Sequence, residues 1–246
     1  MARACGLATN YHNATHPSLG NYLAATAGST LGVTDDCPPR ACPQAARSLF
    51  AQVRTAGMEW RSYQESAPGP CSMVASGSYT PHHDPAVYYR RIAADCARWD
   101  VPMGTTGQGA FQRDLDGGRL PAFSFVTPNA CNDTHDCARA VGDRWLAAWV
   151  PRITASPAYR SGSTVLFVTW DEGQGGGSTG CARDTTDRGC HVATLVVSPS
   201  TPPGTRSAAL FNHYGLLRTT EELLGLPLLG HAADKDTASM RAAFRL

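Results

Sequence analysis

The chain has 246 residues, of which 42% are hydrophobic and 17% charged, and its formal net charge is +1. This length and composition suit one globular domain, and no stretch approaches the roughly 20 consecutive apolar residues that a transmembrane helix needs. No run of basic residues, and no basic stripe with interleaved aromatic residues, favours nucleic acid as a partner. We therefore expect a single domain over residues 1–246, with no transmembrane segment and no nucleic acid partner.

Helical and strand-like patterns alternate along the chain. Apolar periodicity predicts the helices, and short apolar runs rich in β-branched or aromatic residues predict the strands. In chain order they are helices at 45–56 and 85–99, a strand at 121–127, a helix at 141–153, strands at 163–169 and 191–198, and a helix at 215–224. This alternation predicts an α/β fold with a mostly parallel sheet covered on both faces, and the run at 163–169 suits a buried parallel strand. In such sheets ligands bind beyond the carboxyl ends of the strands.

The nine cysteines predict disulfides. Cys-x-x-Cys knuckles typical of zinc sites are absent, and most cysteines lie at short spacing in polar, loop-like segments. The expected pairs are Cys37 with Cys42, Cys131 with Cys137, and Cys181 with Cys190, whereas Cys71 and Cys96 are candidates for a fourth bridge and Cys5 is left over. Disulfides favour a secreted or otherwise extracytoplasmic protein, although the first residues lack the apolar core of a signal peptide. A polar, Gly-rich loop insertion is expected at 173–190, and the last pair lies within it.

Ser18 lies where a helix is expected to begin. Pro17 precedes it, the following residues favour a helix, and Gly28 is a suitable stop. On spacing alone an N-cap serine is the more common reading. A nucleophile is also physically reasonable, because the helix N-terminus favours a bound phosphate and Asn21, one turn on, can donate to a phosphoryl oxygen.

Asp171 and Glu172 directly follow the predicted strand at 163–169. Two adjacent carboxylates repel each other unless a cation or a proton lies with them, so a divalent metal ion is the simplest compensation. A solvated acidic turn is the alternative, because such dipeptides are common.

A denser polar cluster at 129–136 follows the predicted strand at 121–127, and two cysteines flank its end. It includes Asp133 and His135. Carboxylate and imidazole groups together suit a divalent ion, and the same Asp and Asn residues equally suit an ordinary turn.

Several histidines lie in or beside these segments. His213, before the last predicted helix, is a candidate metal ligand, phosphate contact or helix cap, and spacing does not choose between them. His82 and His83 form either a site or an exposed loop pair, and His12 and His16 flank the Ser18 segment.

Taken in order, five segments resemble the phosphoesterase family that includes bacterial acid phosphatases and phospholipases C, a branch of the alkaline phosphatase superfamily. They are ATNYHNATHPSLGNYLAATAGS, YTPHHDPAVYY, TPNACNDTHDC, VLFVTWDEG and FNHYGLLRTTEELLGLP. The resemblance covers nearly the whole chain, and the shared order of the segments is more specific than any one of them. It implies an alkaline phosphatase-like fold, a three-layer αβα sandwich with a mostly parallel central sheet.

The resemblance also implies residue roles. THPSLGNY looks like the stretch of nucleotide pyrophosphatases in which a threonine is the nucleophile, which places Ser18 in that role. Catalytic roles then fall to Ser18, Asn21, His135 and His213, substrate binding to His16, His83 and Asp133, and metal binding to Asp171 and Glu172. Asp133 and His135 are expected at the phosphate or at a second metal position. Gly20 replaces the usual proline, which loosens the turn without removing a functional group.

One departure concerns the N-terminus. Family members normally begin with a strand that ends in a metal-binding Glu-Asn pair, and this sequence opens downstream of it. We therefore expect an N-terminally shortened form, and this expectation also accounts for the absent signal peptide.

The function expected from the resemblance is metal-dependent hydrolysis of a phosphate ester through a phosphoserine, with a small phosphoester or a phospholipid as the substrate. Two alternatives remain open. One is a metal-independent acyl hydrolase that uses Ser18 with a histidine, although a Gly-x-Ser-x-Gly elbow is absent. The other is an inactive or merely binding remnant of the fold.

Overall fold

The computed structural model describes residues 4–175, 180–183 and 186–246. The chain forms two compact units. The first contains Met1–Cys37, Ala46–Gln52 and Thr164–Leu246, and the second contains Pro38–Ala45 and Val53–Ser163. Residues 176–179 and 184–185 of the predicted loop at 173–190 lie outside the described residues.

The described residues form short strands and helices. The strands are β1 (Gly6–Ala8), β2 (Tyr11–His12), β3 (Trp60–Gln64), β4 (Asp100–Pro102), β5 (Phe123–Thr127), β6 (Leu166–Thr169), β7 (Thr194–Val197), β8 (Arg206–Ser207) and β9 (Phe211–Asn212). The α-helices are α1 (Ser18–Ala27), α2 (Leu49–Thr55), α3 (Ala93–Trp99), α4 (Ala110–Asp116), α5 (Arg139–Ala155), α6 (Pro157–Arg160), α7 (His213–Leu224) and α8 (Arg241–Phe244). Single 3-10 turns lie at Pro81–His83, Pro85–Tyr88, Arg90–Ile92, Arg188–Cys190 and Gly230–Ala233. No helix in the described part of the chain is long and apolar enough to cross a membrane.

The first unit holds a mixed four-stranded sheet with the order β6, β7, β1, β8, and a separate parallel pair of β2 with β9. β1 pairs with β8 in parallel, but β7 runs antiparallel to both of its neighbours. The expectation of a parallel strand at 163–169 is therefore wrong. The chain returns from β6 to β7 without an α-helix among the described residues, whereas a parallel pairing usually requires a helical crossover.

The second unit holds a parallel sheet of three strands with the order β4, β3, β5. β5 confirms the strand predicted at 121–127, whereas β3 was not predicted. Aromatic side chains pack around this sheet: the rings of Trp60 and Trp99 are 5.3 Å apart, and Phe111 lies 4.7 Å from Tyr63 and 5.2 Å from Trp149. These rings are buried and contribute to the hydrophobic stabilisation of this unit.

The segment 85–99 is not the single helix that was predicted. Two 3-10 turns precede α3, and Tyr89 between them is extended, with φ −88° and ψ 112°. The main chain pairs here with Gln44, whose N–H donates to the carbonyl of Tyr88 at 2.7 Å and whose carbonyl accepts from the N–H of Arg90 at 2.9 Å. These bonds to another segment replace helical bonds and interrupt the helix.

The expected disulfides are present. Bridges join Cys71 to Cys96, Cys131 to Cys137 and Cys181 to Cys190, Cys37 and Cys42 are also disulfide-bonded, and Cys5 is free. The cysteine prediction is confirmed.

Candidate active site

Ser18 is the first residue of α1 and is 4% exposed. The N-cap is Pro17, which is extended and offers no side-chain hydrogen bond, so the reading of Ser18 as a cap serine is wrong. Instead the N–H of Leu19 donates to Asp36 Oδ1 at 2.8 Å. A carboxylate from a distant segment thus caps the helix and offsets its positive end. Gly28, with φ 71°, ends the helix as predicted.

Asn21 shapes the turn that leads into Ser18. Its Oδ1 accepts hydrogen bonds from the N–H groups of Ala14 at 2.8 Å and Thr15 at 3.0 Å, and its Nδ2 donates to the carbonyl of Thr15 at 2.8 Å. The same Nδ2 lies 3.4 Å from Glu172 Oε2. The first unit therefore brings two of the predicted site residues, Asn21 and Glu172, into contact.

His16 joins the same cluster. Its Nδ1 lies 3.1 Å from Glu172 Oε2, and its Nε2 lies 3.1 Å from the carbonyl oxygen of Gly189. The same Nε2 lies 3.4 Å from Nδ2 of Asn13. His16 therefore connects Glu172 to the main chain at Gly189.

His213 begins α7 and is 2% exposed. Its Nε2 donates to the carbonyl of Asp171 at 2.5 Å, and its Nδ1 accepts from the hydroxyl of Tyr11 at 2.9 Å. Burial lowers the pKa of His213 below its ordinary value, against the opposing effects of the bond to Asp171 and of the Asp171 charge, so the ring is neutral. The cap of α7 is Asn212, which accepts from the N–H of Gly215, so the reading of His213 as the cap is wrong. In this arrangement His213 orients the main chain of Asp171.

Asp171 has a side chain that its surroundings leave unsatisfied. Its Oδ2 is buried, and no hydrogen-bond partner for it occurs among the residues that the structure describes. A bare buried carboxylate oxygen is costly, and hard oxygen donors of this kind suit a divalent cation. The residues present therefore fit the metal ion that the sequence predicts.

Two other side-chain groups have the spacing of metal ligands. In the described ranges, ligating atoms within 4.8 Å of one another occur at His16, Cys181 and Cys190, and at Cys71, Cys96 and Asp100. Each group contains the two sulfurs of a disulfide, which offer no thiolate to a metal. Neither group competes with Asp171 and Glu172 as the candidate metal position.

The second unit brings three further predicted residues together. Asp133 Oδ2 lies 3.1 Å from Nδ1 of His83, which is 4% exposed, and Asp133 Oδ1 accepts from the N–H of His135 at 2.8 Å. The side chain of His135 is exposed and contacts Asp136 at 2.7 Å. His83 and Asp133 thus form a largely buried pair, whereas His135 takes part through its main chain.

Three residues with contacts to the segments that carry the predicted site residues were not predicted from the sequence: Asp36, Tyr11 and Glu65. Nothing local distinguishes Asp36 or Tyr11, because each acts on a residue far along the chain. Glu65 directly follows β3, and ligands of such sheets bind beyond the carboxyl ends of the strands, so its position makes it a candidate. It was missed because β3 itself was not recognised.

A model of the Phosphoesterase family matches residues 1–227. The chain belongs to this family. A phosphatidylinositol-3-phosphatase of Mycobacterium tuberculosis is 33% identical over 229 residues, which cover 89% of this chain and 66% of that protein. An acid phosphatase of Aspergillus fumigatus is 27% identical over 235 residues, which cover 91% of this chain and 49% of that protein. This member of the Phosphoesterase family thus spans about half to two thirds of the length of these relatives.

Solved structures define the fold of this Phosphoesterase family member. A protein of the alkaline phosphatase superfamily from Vibrio parahaemolyticus superposes with a TM-score of 0.60 at 11% identity, covering 95% of this chain and 62% of that one. The structure of Ps i-CgsB superposes with a TM-score of 0.60 at 14% identity, covering 99% of this chain and 69% of that one. The predicted family and the α/β fold class are confirmed.

Proposed function

We propose that this chain hydrolyses phosphate monoesters in two steps, with Ser18 as the nucleophile. The observation that carries the proposal is the buried, unpartnered Oδ2 of Asp171, next in sequence to Glu172, in the same unit as Ser18. Membership of the Phosphoesterase family supports the reaction class, and the two relatives named above are both called phosphatases. The disulfides support an extracytoplasmic location.

Asp171 and Glu172 would hold a divalent cation. When bound, such an ion stabilises a serine alkoxide and offsets charge on the phosphoryl oxygens. One N–H of the Asn21 amide is held by Thr15, whereas the other reaches Glu172 only at 3.4 Å and remains available to a phosphoryl oxygen. His213 keeps the main chain of Asp171 in place.

The remaining steps follow from these groups. Ser18 Oγ attacks phosphorus and the alcohol leaves, and water then hydrolyses the phosphoserine. Contact of His83 and Asp133 with the substrate stays a prediction of the family resemblance. His16 contacts Glu172, and its predicted role in substrate binding stays a prediction. A catalytic role for the exposed His135 also remains a prediction.

Replacing the nucleophile tests this proposal. Ser18→Ala in the full chain should lower the rate of 4-nitrophenyl phosphate hydrolysis by several orders of magnitude. Ser29→Ala, at the other end of α1, is the matched control and should retain the activity. Dialysis against a chelator should abolish turnover, and a divalent cation should restore it. A Ser18→Ala protein with the wild-type rate contradicts the proposal.

The acyl hydrolase alternative needs a histidine that activates Ser18. His16, two residues away, uses its ring nitrogens on Glu172 and Gly189, and His213 uses its own on Asp171 and Tyr11. Because these histidines are engaged elsewhere, no observation favours this second function.

A further inference from the structure

Glu65 is a carboxylate bonded by three neutral N–H groups in the second unit. Its Oε2 accepts from the N–H of Asn129 and from Nδ2 of Asn132, both at 2.9 Å, and its Oε1 accepts from Nε1 of Trp145 at 3.0 Å. Hydrogen bonds to an ionised carboxylate are stronger than neutral ones. Glu65 therefore ties the end of β3 to the segment 129–137 and to α5.

Asn129 connects Glu65 to the rest of the segment 129–137, which we call the 129–137 loop. Its side-chain oxygen accepts from the N–H groups of Cys131 at 3.1 Å and Asn132 at 3.0 Å, and its Nδ2 donates to Ser66 Oγ at 3.0 Å. Its carbonyl accepts from the N–H of Asp133 at 2.9 Å. The position of Asp133 thus depends on Asn129, which Glu65 and Ser66 hold together.

From these contacts we propose that Glu65 is a positioning residue that sets the Asp133–His83 pair. The path runs from Glu65 through Asn129 to Asp133, whose Oδ2 lies 3.1 Å from His83 Nδ1. The inference rests on the proposed function and on the prediction that His83 and Asp133 contact the substrate. Glu65 itself acts only through the loop.

The arrangement requires a carboxylate at this position. Both oxygens of Glu65 face donors, so the amide of Glu65→Gln must turn an NH2 group toward either the asparagines or Trp145. Either orientation loses at least one hydrogen bond and places two donors opposite each other. Because Gln has the same size, this variant disturbs the loop without leaving a cavity.

A double-mutant cycle tests the inference in the full chain. Glu65→Gln should lower kcat/KM for 4-nitrophenyl phosphate by up to about 100-fold, because a misplaced contact group loses alignment. If Glu65 acts through Asp133, the double variant with Asp133→Asn should be no slower than Asp133→Asn alone. Glu59→Gln, an exposed carboxylate just before β3, should match the wild type. Additive losses, or a folded Glu65→Gln protein with wild-type kcat and KM, overturn the inference.

A second readout separates the inference from the proposed function. In ¹H–¹⁵N spectra of the histidine rings, Glu65→Gln should move the His83 signals in the same direction as Asp133→Asn does. If Ser18→Ala retains activity, the proposed function fails, and this spectral comparison still decides the role of Glu65. If Glu65→Gln does not fold, Asn132→Ala removes one of its donors and should produce the same shift. Unmoved His83 signals overturn the inference.

Discussion

Glu221 is a fully buried carboxyl group in α7, and replacing it with Gln makes a sharp prediction about stability and pH. Its side chain is 0% exposed and accepts from the N–H of Leu229 at 3.1 Å. No ion pair within the described part of the chain includes it, although Glu222 beside it pairs with Arg218. Burial raises the pKa of Glu221 from 4.5 to about 8, against the lowering effect of hydrogen bonds from Leu229 and Gln52, and the Glu222 charge adds to the rise.

The sign of the effect follows from proton binding. Because the pKa is 4.5 in the unfolded chain and about 8 in the folded one, folding takes up a proton between these values. The stability from Glu221 is full below pH 4.5 and is lost as the pH rises through 8. At about 1.36 kcal/mol per pH unit, the difference between the two pKa values limits the loss of folding free energy to about 5 kcal/mol. Relaxation around the charge screens part of this, so we expect a loss of about 2 to 3 kcal/mol.

Glu221→Gln should remove this pH dependence. The amide is neutral at every pH, keeps an oxygen for Leu229, and offers an N–H to Gln52 Oε1, which has no partner among the described residues. The free energy of unfolding of the variant should equal that of the wild type near pH 5 and exceed it near pH 8.5. Urea denaturation followed by far-UV circular dichroism measures both values. Glu222→Gln is the control: burial opposes ionisation there, but bonds from Ser239 and Arg218 hold its pKa below the ordinary value. Parallel curves for wild type and Glu221→Gln refute the reasoning.

Three further predictions concern buried groups and one glycine. Burial and the charge of Asp100 raise the pKa of Asp84 well above its ordinary value. Asp84→Asn should therefore increase the free energy of unfolding near pH 8.5 but not near pH 3, measured by the same urea assay. Equal effects at both pH values contradict this prediction. Gly28→Ala should lower the free energy of unfolding by at least about 2 kcal/mol in thermal denaturation, because φ is 71° and a Cβ would meet the carbonyl of Leu229; an unchanged Tm contradicts this. Asp171→Asn should weaken Mn²⁺ binding at least about tenfold by calorimetry, because it neutralises the unpartnered oxygen; unchanged affinity removes Asp171 from the site.

The sequence predicted the features that depend on residues close together in the chain. Gly28 ends α1 because a left-handed residue suits a helix C-terminus, and the cysteines at short spacing are bonded in the expected pairs. The order of the five motif segments predicted the family. Local periodicity also placed α5 and α7 within a few residues of their observed bounds.

Features that depend on distant segments were not predictable from local patterns. The cap of α1 comes from Asp36, which is 17 residues from its partner Leu19, and the hydroxyl of Tyr11 reaches His213 across 202 residues. The direction of β6 depends on the path that the chain takes to β7, which apolar periodicity does not encode. Each of these contacts is chosen by tertiary packing and not by the propensity of the residues around it.

The two adjacent carboxylates illustrate what tertiary structure adds to a motif. In the sequence, Asp171 and Glu172 are equivalent members of a repelling pair that one cation would relieve. In the folded chain Glu172 Oε2 already contacts His16 Nδ1 at 3.1 Å, whereas Asp171 has a fixed main chain and a side-chain oxygen without a partner in the described residues. Of these two side chains, it is therefore Asp171 that keeps an oxygen unpartnered among the described residues. A cation entering this position would gain most from Asp171 and would have to share Glu172 with His16.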